Sequence, residues 1–148
     1  MAVPRRVALV WREMKPEKQL LRVLIADDSA VVRERQADLL RELPGVSVVA
    51  ETTDVAGTLE QIRSLQPEVV LLDLGMPGGS GLDVLRQMRA EQLHATVIVL
   101  TNYRSVEYEK AVREYGAIAF LDKSRDFMKA AELICELAER AGTPLTKA

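Results

Sequence analysis

Residues 69–81 read VVLLDLGMPGGSG. Four apolar residues, Val69 to Leu72, are followed by Asp73 and then by a loop carrying Gly75, Gly78, Gly79 and Gly81. A short unbroken apolar run bounded by turn residues predicts a strand buried on both faces, the habit of parallel sheets. An acid placed where such a strand stops lies at its carboxyl end, which is where open α/β sheets bind their ligands.

Working outward, the same pattern recurs on both sides. Upstream, Leu21 to Ala26 is an apolar run closed by Asp27-Asp28, and Val46 to Ala50 is a second. Downstream, Val97 to Leu100 ends at Thr101, and Ala117 to Leu121 is followed by Asp122-Lys123. Helical spacing fills the gaps. Residues 29–43 carry Val32, Gln36, Leu39, Leu40 and Leu43 on one face, ended by Pro44-Gly45. Asp54 is placed to cap a helix holding Val55, Leu59, Ile62 and Leu65, closed by Pro67. Leu82, Leu85 and Met88 mark a third helix, and Tyr108, Ala111, Val112 and Tyr115 a fourth, stopped by Gly116. Phe127, Ala130, Ala131, Ile134, Leu137 and Ala138 mark the last, ended by Gly142 and Pro144. Five βα units with right-handed crossovers predict an α/β fold, a doubly wound five-stranded parallel sheet in a three-layer α/β/α sandwich.

Composition sets the outer limits. The 148 residues are 48% apolar and 28% charged, which suits one globular domain. A net charge of −2 supplies no broad basic field, so direct nucleic-acid binding is not expected. No apolar run approaches the roughly 18 residues of a membrane span, so no membrane insertion is expected. The single cysteine, Cys135, excludes an intramolecular disulfide and fits a reducing, cytoplasmic setting. One histidine, His94, excludes a His-rich metal centre and argues against an internal phosphohistidine relay.

Residues 1–20 differ from the rest and are expected to be a loose extension or a short amphipathic helix through Val7, Val10, Trp11 and Met14. The regular domain is expected over 21–141, with a tail at 142–148 that leaves no chain for an output domain. The apolar run from Val7 to Trp11 is shorter than the roughly 7–15 residues of a signal-peptide core.

The strand ends carry the chemistry. Asp27, Asp28, Asp73, Thr101 and Lys123 are expected to meet at one edge of the sheet. Carboxylates about 4 Å apart repel by roughly 4 kcal/mol at an effective dielectric near 20, so three of them call for a cation. Oxygen donors without thiol or imidazole suit Mg²⁺. Singly, each residue has an ordinary reading, since paired aspartates often only form turns. The glycine loop lacks the Gly-Lys-Ser/Thr of a nucleotide-binding loop. Cys135 and the helically spaced Tyr108 and Tyr115 read as core, His94 as a solvated loop residue, and Tyr103 and Val106 as candidates to face a partner.

Taken in order, Asp27-Asp28, Asp73-Leu74-Gly75-Met76-Pro77 with Gly81, Thr101 and Lys123 resemble the motif set of bacterial response-regulator receiver domains. The likeness covers about residues 21–140. It implies a flavodoxin-like fold with strand order 2-1-3-4-5. It further implies that Asp73 accepts a phosphoryl group from a phosphohistidine. Asp28, Asp73 and the Gly75 carbonyl would ligate Mg²⁺, with Asp27 acting through water. Lys123 would neutralise phosphoryl charge, and Thr101 would move to the phosphoryl group as Phe120, the switch aromatic, turns inward. The implied partners are a sensor histidine kinase or histidine phosphotransfer protein, and an unlinked output protein meeting the fourth helix, fifth strand and fifth helix. The expected role is a stand-alone receiver, not an enzyme acting on a metabolite, with a phosphate sink as one variant.

The sequence departs from the commonest family pattern at two places. Asn102 replaces a small residue after Thr101, and Ser124 replaces proline after Lys123, so a trans peptide or rearranged loop is expected there. Ser124 is then a candidate N-cap, with Asp126 in the first turn. Gly75 and Tyr103 occupy the two positions that tune loss of the phosphoryl group in this family, and slow loss is expected. Two other classes compete. An aspartate-nucleophile, Mg²⁺-dependent phosphohydrolase would need a second acid where Gly75 stands. A flavodoxin-like cofactor carrier would need aromatic residues around the cleft.

Overall fold

The computed structural model describes residues 20–142. Strands β1 (Leu21–Ala26), β2 (Val46–Thr52), β3 (Val69–Leu72), β4 (Thr96–Thr101) and β5 (Ala119–Asp122) alternate with helices α1 (Ala30–Arg41), α2 (Val55–Leu65), α3 (Gly81–Ala90), α4 (Val106–Glu114) and α5 (Phe127–Gly142). All strand pairs are parallel, in the order β2-β1-β3-β4-β5. The expected architecture is the observed one.

Alternation along the strands divides the interior into two cores. Leu24, Val70, Leu72, Val97, Val99 and Phe120 face α2, α3 and α4. Their strand neighbours Val23, Ile25, Leu71, Ile98, Leu100 and Ala119 face α1 and α5. Where both faces are covered, as along residues 23–26, 69–72 and 97–100, the strands carry no polar residue until they end, whereas the edge strand β2 carries Ser47 and Glu51. Each fully buried aliphatic side chain contributes about 1.5–3 kcal/mol, so the sheet holds its strand ends rigidly.

Helix starts follow local chemistry. Ser29, Asp54, Ser80 and Ser105 cap α1 to α4 by accepting from the backbone N–H groups of Val32, Gly57, Leu82 and Tyr108. Ser80 and Asp83 complete a reciprocal capping box on α3.

Several expectations need correction. β2 runs on to Thr52, because the Thr52 hydroxyl finds a buried partner in the Thr58 hydroxyl at 2.7 Å. β5 begins at Ala119, after Ile118 N–H has already bonded to the Val97 carbonyl. Ser124 does not cap the last helix: α5 begins at Phe127, and Ser124 lies in a turn whose N–H bonds to the Asp122 carboxylate. Tyr108 is 40% exposed, whereas Tyr115 packs against the core. Cys135 is only half-buried. The expectations for residues 1–19 and 143–148, the amphipathic helix and the tail with Pro144, lie outside the described residues.

Candidate functional site

Sheet hydrogen bonds bring the strand ends together. Asp27 N–H donates to the Thr52 carbonyl (3.0 Å), Asp73 N–H to the Ala26 carbonyl (3.0 Å), and Lys123 N–H to the Thr101 carbonyl (3.1 Å). These bonds, with the β3–β4 pairing, fix the backbone of five strand ends at one edge, so the side chains converge without help from flexible loops.

The convergence is close. The Lys123 ammonium lies 2.8 Å from Oδ2 of Asp73 and 3.1 Å from Oδ2 of Asp27. Asp27, Asp28 and Asp73 each offer a carboxylate oxygen, all within 4.8 Å of one another. Asp27 and Asp73 are buried, 1% and 2% exposed, while Asp28 faces water. One ammonium therefore balances three acids, leaving an excess of negative charge at the rim. Burial pushes the Asp27 carboxyl above its usual range, and the neighbouring Asp73 adds to this. The Ser29 N–H and the Lys123 ammonium pull it back only in part. At Lys123, burial disfavours the ammonium, but hydrogen bonds to Asp73 and Asp27 outweigh it and raise the pKa.

This donor set fits Mg²⁺. It is all oxygen and carries surplus negative charge, and one member, Asp28, is open to water. The Gly75 N–H donates to Oδ1 of Asp73 at 3.1 Å, which orients the carboxylate and holds the glycine backbone beside it.

The other residues singled out in the sequence line the same rim. Thr101 is fully buried, and its hydroxyl oxygen accepts from the Tyr103 N–H at 3.0 Å. That leaves the Thr101 O–H free in direction to donate. Phe120 is already buried, 4% exposed, so its ring points inward before any phosphoryl group arrives, contrary to the expectation that it turns inward only then; the Arg104 guanidinium lies 5.7 Å above its ring centroid. No cis peptide occurs among the described residues, so Lys123–Ser124 is trans, as expected.

Some neighbours escaped the sequence reading. Arg33 donates to the Asp27 carbonyl at 2.8 Å, which ties α1 to the acid pair; a single arginine on a helix gives no pattern that would mark it. The Tyr103 ring lies against Gly75, where a Cβ would fall 2.8 Å from Cδ2 and 3.2 Å from Cζ. The two departures Asn102 and Ser124 also meet, the Ser124 hydroxyl donating to Oδ1 of Asn102 at 3.1 Å. The Asn102–Ser124 contact was not legible, because the partners belong to different loops, and Gly75 and Tyr103 were brought together only by the resemblance.

A groove of about 390 Å³ lies beside the acids between α1 and the start of α5, lined by Val32, Arg35, Asn102, Lys123, Ser124 and Met128 among others. A larger cavity of about 630 Å³ opens at the opposite end of the sheet, by Leu85, His94 and Tyr115. Its Arg89 is already engaged, stacked on Tyr115 and donating to the Glu114 carbonyl. His94 is exposed there, as expected. Among the described residues, no helix is long and apolar enough to cross a membrane.

Comparison with known proteins agrees with the geometry. Residues 23–134 match the model of the response regulator receiver domain. The chain is 37% identical over 111 residues to the nitrate/nitrite response regulator protein NarP of Escherichia coli, covering 75% of this chain and 52% of that protein. It is 35% identical over 127 residues to a protein-glutamate methylesterase/protein-glutamine glutaminase of Methanosarcina acetivorans, covering 82% of this chain and 36% of that protein. The chain thus spans between about a third and a half of the length of these relatives. Among solved structures, a DNA-binding response regulator of the LuxR family from Staphylococcus aureus superposes with a TM-score of 0.74 at 27% identity, covering 80% of this chain and 99% of that one. The response regulator domain of Thermotoga maritima CheB superposes with a TM-score of 0.69 at 26% identity, covering 83% and 96%.

Proposed function

We propose, for a chain that belongs to the response regulator receiver domain family, that Asp73 is a phosphoacceptor and that its phosphorylation switches a protein-binding face. The observation that carries this reading is the contact between Lys123 and Asp73 at 2.8 Å, inside a cluster whose other acids are Asp27 and Asp28. Receiver domains take their phosphoryl group from histidine kinases or phosphotransfer proteins, and one or the other is the proposed donor here.

The chemistry follows from the rim. The Asp73 carboxylate attacks phosphorus, the P–N bond to the donor imidazole breaks, and an acyl phosphate forms on Asp73. Asp28, Asp73 and the Gly75 carbonyl would hold Mg²⁺, with Asp27 acting through water. When bound, this ion supplies positive charge to the transferring oxygens and aligns them with the carboxylate. Lys123 is already beside Asp73 and stays an ammonium, so it meets the developing charge without rearrangement. Thr101 donates its free O–H to a phosphoryl oxygen.

Phosphorylation adds about −1.5 to −2 charge to a rim already rich in acid. Thr101 is drawn toward that charge, and the loop bonded to its hydroxyl through Tyr103 N–H moves with it. Phe120 is the aromatic that answers this shift, and α4, β5 and α5 form the face that an output protein reads. Tyr103 and Val106 are 60% and 80% exposed beside that face, which suits a partner surface. The two states exchange as a population shift.

The matched relatives include methylesterases, but the chain spans only about a third of such a protein. The role proposed for the described residues rests on the rim: signalling, without turnover of a metabolite there. Gly75 stands where a phosphohydrolase of the aspartate-nucleophile class would need its general acid, which counts against steady hydrolysis. The test is Asp73→Asn. It is expected to abolish Mg²⁺-dependent phosphoryl incorporation from a small acyl phosphate, and labelling that persists would refute the assignment.

A further inference from the structure

Asn102 directly follows Thr101, and Ser124 directly follows Lys123. The two residues that answer a phosphoryl group are already joined through the backbone, Lys123 N–H to the Thr101 carbonyl. Their successors are joined again through side chains, the Ser124 hydroxyl to Oδ1 of Asn102 at 3.1 Å. Both departures from the common family pattern thus sit in one hydrogen bond across the mouth of the site.

From outside, the turn that carries Lys123 is held at its start, where Asp122 pairs with Thr101 and Lys123 N–H reaches the Thr101 carbonyl, and the Asn102–Ser124 bond extends that hold one residue further. Within its own segment, the Asp122 carboxylate accepts from the N–H groups of Ser124 and Arg125, at 2.8 and 3.1 Å. Asp122 N–H in turn donates to the Asp126 carboxylate at 3.0 Å. These bonds shape the turn but do not orient it relative to β4. Lysine has a long stem with many rotamers, so the pose of its ammonium depends on where the turn holds the backbone. No proline stiffens residue 124.

From this arrangement we infer that Asn102 and Ser124 act as a positioning clasp, holding the Lys123 turn against the end of β4 so that the ammonium is preset for phosphoryl transfer. The inference rests on the receiver reading. The clasp also forms part of the wall of the groove between α1 and α5, so its hydrogen bond lies within reach of whatever enters there.

The experiment uses the full chain with Asn102→Ala, Ser124→Ala, the double variant and Ser124→Thr, which keeps the hydroxyl. Phosphoryl uptake from a small acyl phosphate is followed by intact mass at varied donor and Mg²⁺ concentrations. Each alanine variant is expected to lower the maximal rate by about three- to tenfold, the span of one modest hydrogen bond, with half-saturating donor and Mg²⁺ concentrations unchanged. The double variant is expected to be no slower than either single, and Ser124→Thr to match the parent. Multiplying defects, or Ser124→Thr as slow as Ser124→Ala, would overturn the clasp. If the parent takes up no phosphoryl group, the receiver reading fails. The clasp is then decided by amide NMR of the unphosphorylated protein: matching shifts at Lys123 in both alanine variants uphold it, and an unmoved Lys123 amide refutes it.

Discussion

A Cβ built on Gly81 would lie 2.7 Å from the carbonyl oxygen of Asp73 and 2.9 Å from Cδ2 of Leu74. The first residue of α3 therefore packs directly on the backbone of the proposed phosphoacceptor, and Gly81 N–H donates to the Leu74 carbonyl at 2.9 Å. The obstacle is main chain, so it cannot swing aside. Gly81→Ala is expected to destabilise the fold by about 1–3 kcal/mol in urea unfolding and to slow phosphoryl uptake by displacing Asp73.

Asp27 is held in place at a cost. Burial first, and then Asp73, raise its pKa above the ordinary value of 3.8. An acid whose folded pKa is raised costs the folded state increasingly as pH climbs from the unfolded pKa through the folded one, and the full cost is present at neutrality. Asp27→Asn keeps an acceptor for the Ser29 N–H and leaves Lys123 paired with Asp73. The metal-free variant is expected to melt higher than the parent at pH 7, with the difference vanishing in acid. Its Mg²⁺ affinity is expected to fall by about tenfold or more, measured as the loss of Mg²⁺-dependent thermal stabilisation.

On the proposed reading, the Tyr103 ring over Gly75 would cover an acyl phosphate on Asp73. The ring occupies the space that any side chain at 75 would need, and the Gly75 N–H touches the Asp73 carboxylate. Such a cover would hinder water on its way to phosphorus. Phosphorylated protein is expected to outlast the scale of seconds, and Tyr103→Ala to shorten its lifetime by about tenfold, equal to about 1.4 kcal/mol in the barrier. Gly75→Asn should act in the same direction, because its side chain displaces the ring.

Away from the site, α2 and α3 are tied by Arg63 and Glu91, with Nε to Oε1 at 2.8 Å and a second bond to Oε2. The Arg63 guanidinium holds the Glu91 carboxyl down to about 2, and Gln87 assists. A depressed acid contributes its stabilisation above the unfolded pKa and loses it as pH falls through the folded one. Carboxylate NMR is expected to show Glu91 titrating near 2 in the parent. In Arg63→Gln the titration should return toward the ordinary glutamate value of 4.5.

The sheet was legible because its strands are apolar on both faces and end abruptly in acid, hydroxyl or ammonium. That change of character located Asp27, Asp73, Thr101 and Lys123 before any coordinates. Features that depend on two loops meeting were not legible. The hydrogen bond between Asn102 and Ser124 joins residues 22 positions apart, and no periodicity links them. Ser124 looked like a helix cap because serine after a strand commonly serves as one. Its hydroxyl turns to Asn102 instead, while the Asp122 carboxylate accepts from the N–H groups of Ser124 and Arg125 and holds them in a turn before α5 begins at Phe127. Tyr108 had helical spacing with the core residue Val112 but sits on the first turn of α4, too far along the helix edge to be covered.

The alternation along β5 has one more consequence. Ala119 belongs to the layer under α1 and α5, whereas the next residue, Phe120, belongs to the layer under α2, α3 and α4. The groove beside Lys123 opens toward the first layer. Phe127 and Met128 of α5 line that groove, and α5 also belongs to the proposed output face. On the proposed reading a donor at the groove and a listener on that face would meet the same helix, so the sender would have to leave before the message is read.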